Sequence, residues 1–239
     1  FFLKSPVSPN LNTYMWEMAP GGLTGVWARA NTREAVWEAL YRREVYTTSG
    51  TRPTVRVFAG WDFTPKDLDK PEWVWVEQGY ARGVPMGGDL INPPTGKAPT
   101  LLIKAQYDPA GAYLDRVQIV KGWLDSNGAT HEKVIDVAWS GDRKPDPRTG
   151  LVPLVGSTVD LQKATWANTI GAPLLSAFWQ DAHFDPSQHA FYYVRVIEIP
   201  TPRWTAYDVK RFGVKMDAQV PMTVTNRAYT SPIWYSPGR

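Results

Sequence analysis

Metal or acid–base chemistry needs histidines and carboxylates close together, and this chain has only three histidines: His131, His183 and His189. His183 and His189 stand six apart in DAHFDPSQHAF, with Asp181 and Asp185 beside and between them. Imidazole and carboxylate together can ligate zinc or iron. The spacing fits no ligand template, however, and FDPSQH reads as a turn ahead of a strand. His131 follows SNGAT and is expected in a solvated loop. There is no G-x-S-x-G nucleophile elbow and no Walker loop. PMGGDL carries two glycines but no helix after them, so a β-turn is expected there rather than a phosphate cradle. Asp62 in GWDF and Asp89 in GGDL are expected to bond their own backbone in turns. The chain has no cysteine, which excludes disulfides, thiol nucleophiles and thiolate metal sites.

Two charges stand out for their setting. Arg195 and Glu198 lie in HAFYYVRVIEIP, the most apolar stretch of the chain, and their opposite parity sends them to opposite faces of a strand. Buried charges need partners, so structural ion pairs are expected for both. Twelve tryptophans and eleven tyrosines are many for 239 residues. They can fill a core, pack against another domain or form a sugar-stacking platform, and packing is the expected role. Basic residues number 26 and acidic residues 23, giving a net charge of +3. The excess is spread along the chain without a run of five like charges, so a nucleic-acid groove is not expected. No apolar run approaches the ~20 residues of a membrane span.

The elements that must position these groups are mostly strands. Residues 1–30, with SPVSPN and APGGLTG, are Pro- and Gly-rich and read as irregular. A helix then runs from Thr32 to about Glu44. Asn31 is the expected N-cap with Glu34 in capping-box spacing, Ala35, Val36, Ala39 and Leu40 form one apolar stripe, and Arg42 and Arg43 close the last turn. VYTT starts a strand, SGTRP turns the chain, and TVRVFAGW alternates with Val55, Val57 and Ala59 on one side. EWVWVEQGYA reads as a strand with Trp73 and Trp75 on one face. TLLIKAQYD and AYLDRVQIVKGW flank DPAG, a hairpin signal. EKVIDVAWSG, PLLSAFWQD and HAFYYVRVIEIP are further strands, the last one central, and AYDVKRFG is a short helix ending at Gly213. Short strands at regular spacing predict an antiparallel β-sandwich.

Six segments in order resemble the C-terminal half of the family known as DUF3604. They are GLTGVWARANTREAVWEALYRREVYTTSGTRPTVRVFAGWDF, GYARGVPMGGDL, YDPAGAYLDRVQIVKGWLD, EKVIDVAWSGDRKPD, FYYVRVIEIPTPRW and SPIWYSP, spanning the chain from about Gly22 to its end. The resemblance implies a relative of the PHP and amidohydrolase-type metal-dependent hydrolases: a distorted α/β barrel holding a divalent metal cluster, elaborated by a β-sandwich. In such proteins the ligands come from HxH-type, Glu, His and DxH-type motifs nearer the N-terminus. None of those motifs occurs here, so no residue of this chain inherits a ligand role and none is expected to bind the metal. FFLKSPVSPN falls just after the point where the last ligand would stand, which makes a processed product or a piece of something longer the expectation. The resemblance thus implies that residues 1–53 are the last helix and strand of the barrel and residues 54–239 the sandwich.

Roles left to this chain are pocket walls and positioning. GGLTGVWAR would lie at the barrel mouth, offering Gly22, Trp27 and Arg29, while Tyr46, Thr48 and Arg52 sit in YTTSGTR. Arg52 or Arg203 could hold an anionic substrate oxygen. For each, a turn or inter-domain salt bridge is the competing role. The expected function is the structural portion of a phosphoesterase-like hydrolase, acting on a small-molecule substrate and partnered by its own barrel. The alternative is a non-catalytic sandwich that binds carbohydrate or a surface through its tryptophans. A homo-oligomer is compatible with both, and the resemblance points to an exported or periplasmic location.

Overall fold

The computed structural model describes residues 15–17 and 21–238, so the irregular stretch expected around SPVSPN lies outside the described residues. The strands are β1 (Leu23–Val26), β2 (Val45–Thr48), β3 (Thr54–Gly60), β4 (Gly83–Pro85), β5 (Asp89–Leu90), β6 (Thr100–Gln106) and β7 (Leu114–Leu124). They continue with β8 (Thr130–Trp139), β9 (Leu174–Gln180), β10 (Ala190–Glu198), β11 (Thr201–Pro202), β12 (Thr223–Val224), β13 (Arg227–Thr230) and β14 (Ile233–Tyr235). Three helices accompany them: α1 (Arg33–Tyr41), α2 (Glu72–Arg82) and α3 (Trp204–Phe212).

The chain is mainly β, built on antiparallel sheets. The larger sheet has eight strands, with β10 at its centre. β7 pairs β10 along one edge, and β14 and β13 share the other edge in succession. β13 carries on to β2 and β1, β7 carries on to β8, and β5 joins β14 in parallel. The smaller sheet runs β4-β3-β6-β9. Odd-numbered Val55, Val57 and Ala59 of β3 and Leu101, Ile103 and Ala105 of β6 face Val117, Ile119, Tyr192, Val194 and Val196 of the larger sheet, all in one buried cluster. Even-numbered Phe58 and Leu102 turn the other way, onto Trp75 and Phe63. Alternation along one strand therefore serves two interfaces, and the molecule stacks three layers: larger sheet, smaller sheet, α2.

Most expected elements form, including β3 with the predicted inward set, central β10, and α3 closed by Gly213 at φ 64. Four expectations are corrected. EWVWVEQGYA is helix, not strand: Trp75 and Gly79 are buried one turn apart, whereas Trp73 is 71% exposed. Gly79 is required by close approach, because a Cβ there would stand 2.5 Å from the Phe58 ring. DPAG is not a hairpin. β6 and β7 belong to different sheets, and Asp108, whose carbonyl accepts from Gly111 N at 2.7 Å, starts the crossover between them. The N-cap of α1 is Thr32, whose hydroxyl accepts from Ala35 N at 3.2 Å. Arg42 is then the C-cap, and Arg43 lies beyond the helix in the left-handed region at φ 61. Lastly, among the described residues neither Arg195 nor Glu198 has an ion pair. Arg195 bonds the Gln118 amide oxygen and Glu198 the Thr51 hydroxyl.

Candidate functional site: an arginine cleft beside α1

Where α1, β2, β3 and α2 converge, a cleft of about 760 Å³ opens, lined by Trp27, Arg29, Arg42, Glu44, Arg56 and Tyr80 among others. Each wall follows from local structure. Trp27 comes straight after β1, and its indole N–H donates to Val55 O at 2.9 Å, which ties the ring to β3. Arg56 is the polar member of TVRVF and projects from the face of β3 opposite the inter-sheet core. Its guanidinium lies 4.3 Å from the Trp27 ring centre and 5.5 Å from those of Phe58 and Tyr80. Weakly hydrated guanidinium tolerates such an aromatic cage better than an ammonium would.

Glu44, at the entrance to β2, is 1% exposed. A buried carboxylate must be paired and hydrogen-bonded. Tyr80 donates its hydroxyl to Oε1, Arg56 approaches at 3.8 Å and Arg42 at 3.6 Å. Arg56 Nη2 also donates to the Tyr80 oxygen at 2.8 Å. Burial first, then the Glu44 carboxylate, pushes the Tyr80 phenol above its ordinary value. Arg56 Nε is buried without a hydrogen-bond partner among the described residues. Arg29 stands exposed at the mouth, with no ion pair among the described residues. The cleft is therefore a pre-ordered, aromatic-walled cationic surface. Arg29 offers an open guanidinium to an anionic oxygen, with Arg42, which pairs with Glu38 and Glu44 at 3.6 Å each, beside it; the cleft contains no nucleophile–base pair.

The residues expected from sequence separate into two sets. Trp27 and Arg29 line the cleft. Tyr46 sits behind Trp27, 6.4 Å between ring centres, and covers Gly25, where a Cβ would fall 2.2 Å from the phenol ring. Gly22 and Thr48 are structural: a Cβ at Gly22 would meet the Thr48 carbonyl oxygen at 2.2 Å, and the Thr48 hydroxyl bonds Thr51 O at 2.6 Å to close the turn. Arg52 lies on that turn, its backbone N bonded to Asp108 Oδ2 at 2.9 Å, away from the cleft. Arg203 precedes α3, with its guanidinium 5.3 Å from the Trp204 ring centre. Glu44, Arg56 and Tyr80 were not singled out in the sequence. For Arg56 a signal existed, a charge within an otherwise apolar strand; Tyr80 was hidden once its segment was read as extended.

The remaining titratable groups are scattered. Asp62 and Asp89 pair with Arg82 and Arg43 at 3.3 and 3.6 Å. His131 stacks on Trp123 and bonds Asp125 at 2.8 Å. His183 and His189 join no ligand set: among the described residues no group of three or more His, Cys, Asp or Glu is placed to hold a metal ion. Glu44 and Glu77 share the cleft, but Glu44 is already occupied by Tyr80 and two arginines. This donor set does not fit the divalent metal that the family resemblance implies. No helix among the described residues is long and apolar enough to cross a membrane.

Neither a curated protein nor a solved structure matches the chain. The model of one family does match, over residues 3–237, nearly the whole sequence. The chain accordingly belongs to DUF3604, a family described as a protein of unknown function.

Proposed function

We propose that this chain is the C-terminal portion of a metal-dependent, phosphoesterase-like hydrolase, where it completes and covers an α/β barrel rather than supplying metal ligands. One observation carries the reading: three large apolar side chains of α1 have no cover among the described residues. Trp37 is 67% exposed and Tyr41 81%, with Leu40 beside them, while Ala39 is the buried residue of the helix. A helix with a large apolar face in water needs a packing partner. On this reading residues 1–53 contribute the last barrel elements and residues 54–239 the β domain, while β1 and β2 also extend the larger sheet. The arginine cleft begins at the C-terminal end of α1, so a barrel seated on α1 would bring its site beside Arg29 and Arg42. Their part is to bind and orient an anionic substrate oxygen. The divalent metal belongs to the barrel, and no chemical step is assigned to this chain.

The test is intact mass and divalent-metal content of the protein isolated from its source, with hydrolysis of bis(p-nitrophenyl) phosphate as the activity readout. Co-isolation of a larger polypeptide, or a second fragment, with stoichiometric metal and activity is the expected result. A 26.9 kDa chain alone, folded, metal-free and inactive, would overturn it.

A second reading, a carbohydrate- or surface-binding module, draws on the outer face of the larger sheet. There Phe191 lies 5.3 Å from Trp234 and 6.4 Å from Tyr193, the last pair within 12° of parallel. The exposed tryptophans Trp37, Trp73 and Trp234, however, stand on three different elements and form no row. Retardation in polysaccharide gels that Trp234→Ala abolishes would favour this module over the barrel reading.

A further inference from the structure

The outer face of the larger sheet holds a second built site, independent of the arginine cleft. Leu154 and Val155, from the loop after β8, with Ile197 and Pro200 wall a pocket of about 620 Å³. That volume is ordinary for a small-molecule site. The loop is strapped in place. Arg116 of β7 donates to Val152 O and, at 2.7 Å, to Pro153 O, and Arg143 donates to Pro153 O at 2.7 Å while pairing with Asp115 at 2.7 Å.

The floor is a relay of fixed groups. Asp136 is buried, and its Oδ1 accepts from the Gln118 amide nitrogen at 2.7 Å. Only the nitrogen of that amide can donate to a carboxylate, so its oxygen must face the other way. There it accepts from Arg195 Nε at 2.7 Å. With Nε occupied and held, the two terminal nitrogens of Arg195 form an oriented fork with no carboxylate partner among the described residues. Arg227 lies on the neighbouring strand. Arg195 is opposite Tyr229 and Ile197 opposite Arg227, so the two arginines are diagonal neighbours on one face, about 7–8 Å apart at Cα. Arg227 also has no ion pair among the described residues. Neither of the two carboxylates at the pocket wall pairs with these arginines. Asp115 is taken by Arg116 and Arg143, and Glu198 is turned to the Thr51 hydroxyl at 2.6 Å.

We propose that this pocket binds a small organic oxyanion, its carboxylate or phosphate held by Arg195 and Arg227 and its apolar body laid against Leu154, Val155 and Ile197. Two arginines without an ion pair among the described residues, one of them oriented by a buried amide–carboxylate relay, suit bidentate recognition of either group. Arg116 on the same sheet is the contrast, a structural arginine paired with Asp115 and Asp136 at 3.1 Å each.

The experiment is calorimetric titration of the chain at low ionic strength with phenyl phosphate, benzoate and benzyl alcohol. These share an apolar ring and differ in the charged group. Both anions should bind and the alcohol should not; the tighter anion identifies the group the site prefers. Arg195→Gln should weaken binding by roughly tenfold or more, the loss of one charge-assisted fork. Because Arg195 is half-buried, two exposed changes guard against misfolding. Arg227→Gln and Leu154→Asp should both weaken the anions while leaving the thermal midpoint unchanged. Benzyl alcohol binding as tightly as the anions, no binding of either anion, or full affinity in both Arg227→Gln and Leu154→Asp would each overturn the proposal.

Discussion

Replacing Trp75 and Trp73 separately by alanine distinguishes the two ways of reading EWVWVEQGYA. In a strand the two side chains share a face, and both substitutions should cost alike. In α2 they diverge. Trp75 is 1% exposed, meets Phe58 edge-on at 5.1 Å between ring centres and lies 4.9 Å from Lys104 Nζ. Truncating a buried tryptophan costs about 3–5 kcal/mol through lost transfer energy and the cavity left behind. The Trp75 indole N–H is buried without a hydrogen-bond partner among the described residues, so removing it recovers part of that cost. The expected loss is therefore at the lower end, about 3 kcal/mol. Trp73, 71% exposed, should cost no more than about 0.5 kcal/mol. Urea denaturation followed by far-UV circular dichroism reads both directly, with a midpoint shift of about 1 M for Trp75→Ala if the slope is near 3 kcal/mol/M. Equal losses, or a larger loss at Trp73, would refute the helix and the third layer that depends on it.

Other predictions follow from the same geometry. Burial raises the Glu198 carboxyl to about 7 from an unfolded value of 4.5. The folded state then holds the extra proton between those values, so stability falls as pH rises from about 4.5 to 7, by about 3 kcal/mol. Glu198→Gln should flatten that dependence in thermal melts across pH, and an unchanged profile would show that Glu198 does not cause it. Gly25→Ala puts a methyl 2.2 Å from the Tyr46 ring and should cost about 1–3 kcal/mol. A double-mutant cycle with Tyr46→Leu should reveal strong coupling there and little at Gly22→Ala, where the clash is with backbone. Trp37→Glu should leave the melting of this chain unchanged, within about 0.5 kcal/mol, and, on the proposed reading, weaken binding to the proposed barrel portion in pull-down; a large loss of intrinsic stability would mean that this chain already covers α1.

Strand positions were legible because a half-buried strand writes its burial into every second residue. β3 and β10 announce themselves by alternation, β6 and β9 as short apolar runs bounded by turn residues, and α3 by the glycine that ends it. The W-V-W-V of α2 misled for the same reason. Four alternating residues suit a strand pattern, and only packing against Phe58, with Gly79 permitting close approach, selects the helical period. DPAG is a competent turn, but a turn does not say which sheet the next strand will join. Of the cleft, Trp27 and Arg29 were marked only by the family resemblance, which implies that GGLTGVWAR lies at a barrel mouth. Glu44, Arg56 and Tyr80 come from three elements and acquire meaning only when β3 and α2 bring them together around one buried carboxylate. Arg195 is the complementary case. Its sequence setting marked it as unusual and predicted an ion pair, whereas the fold supplied Gln118, fixed by Asp136 from the neighbouring strand, and left the charge open. Local periodicity and turn chemistry, being short-range, determined which segments become strands and where they end. Which faces meet, and which charges are paired, depends on contacts between residues distant in the chain, and only the tertiary structure decided those.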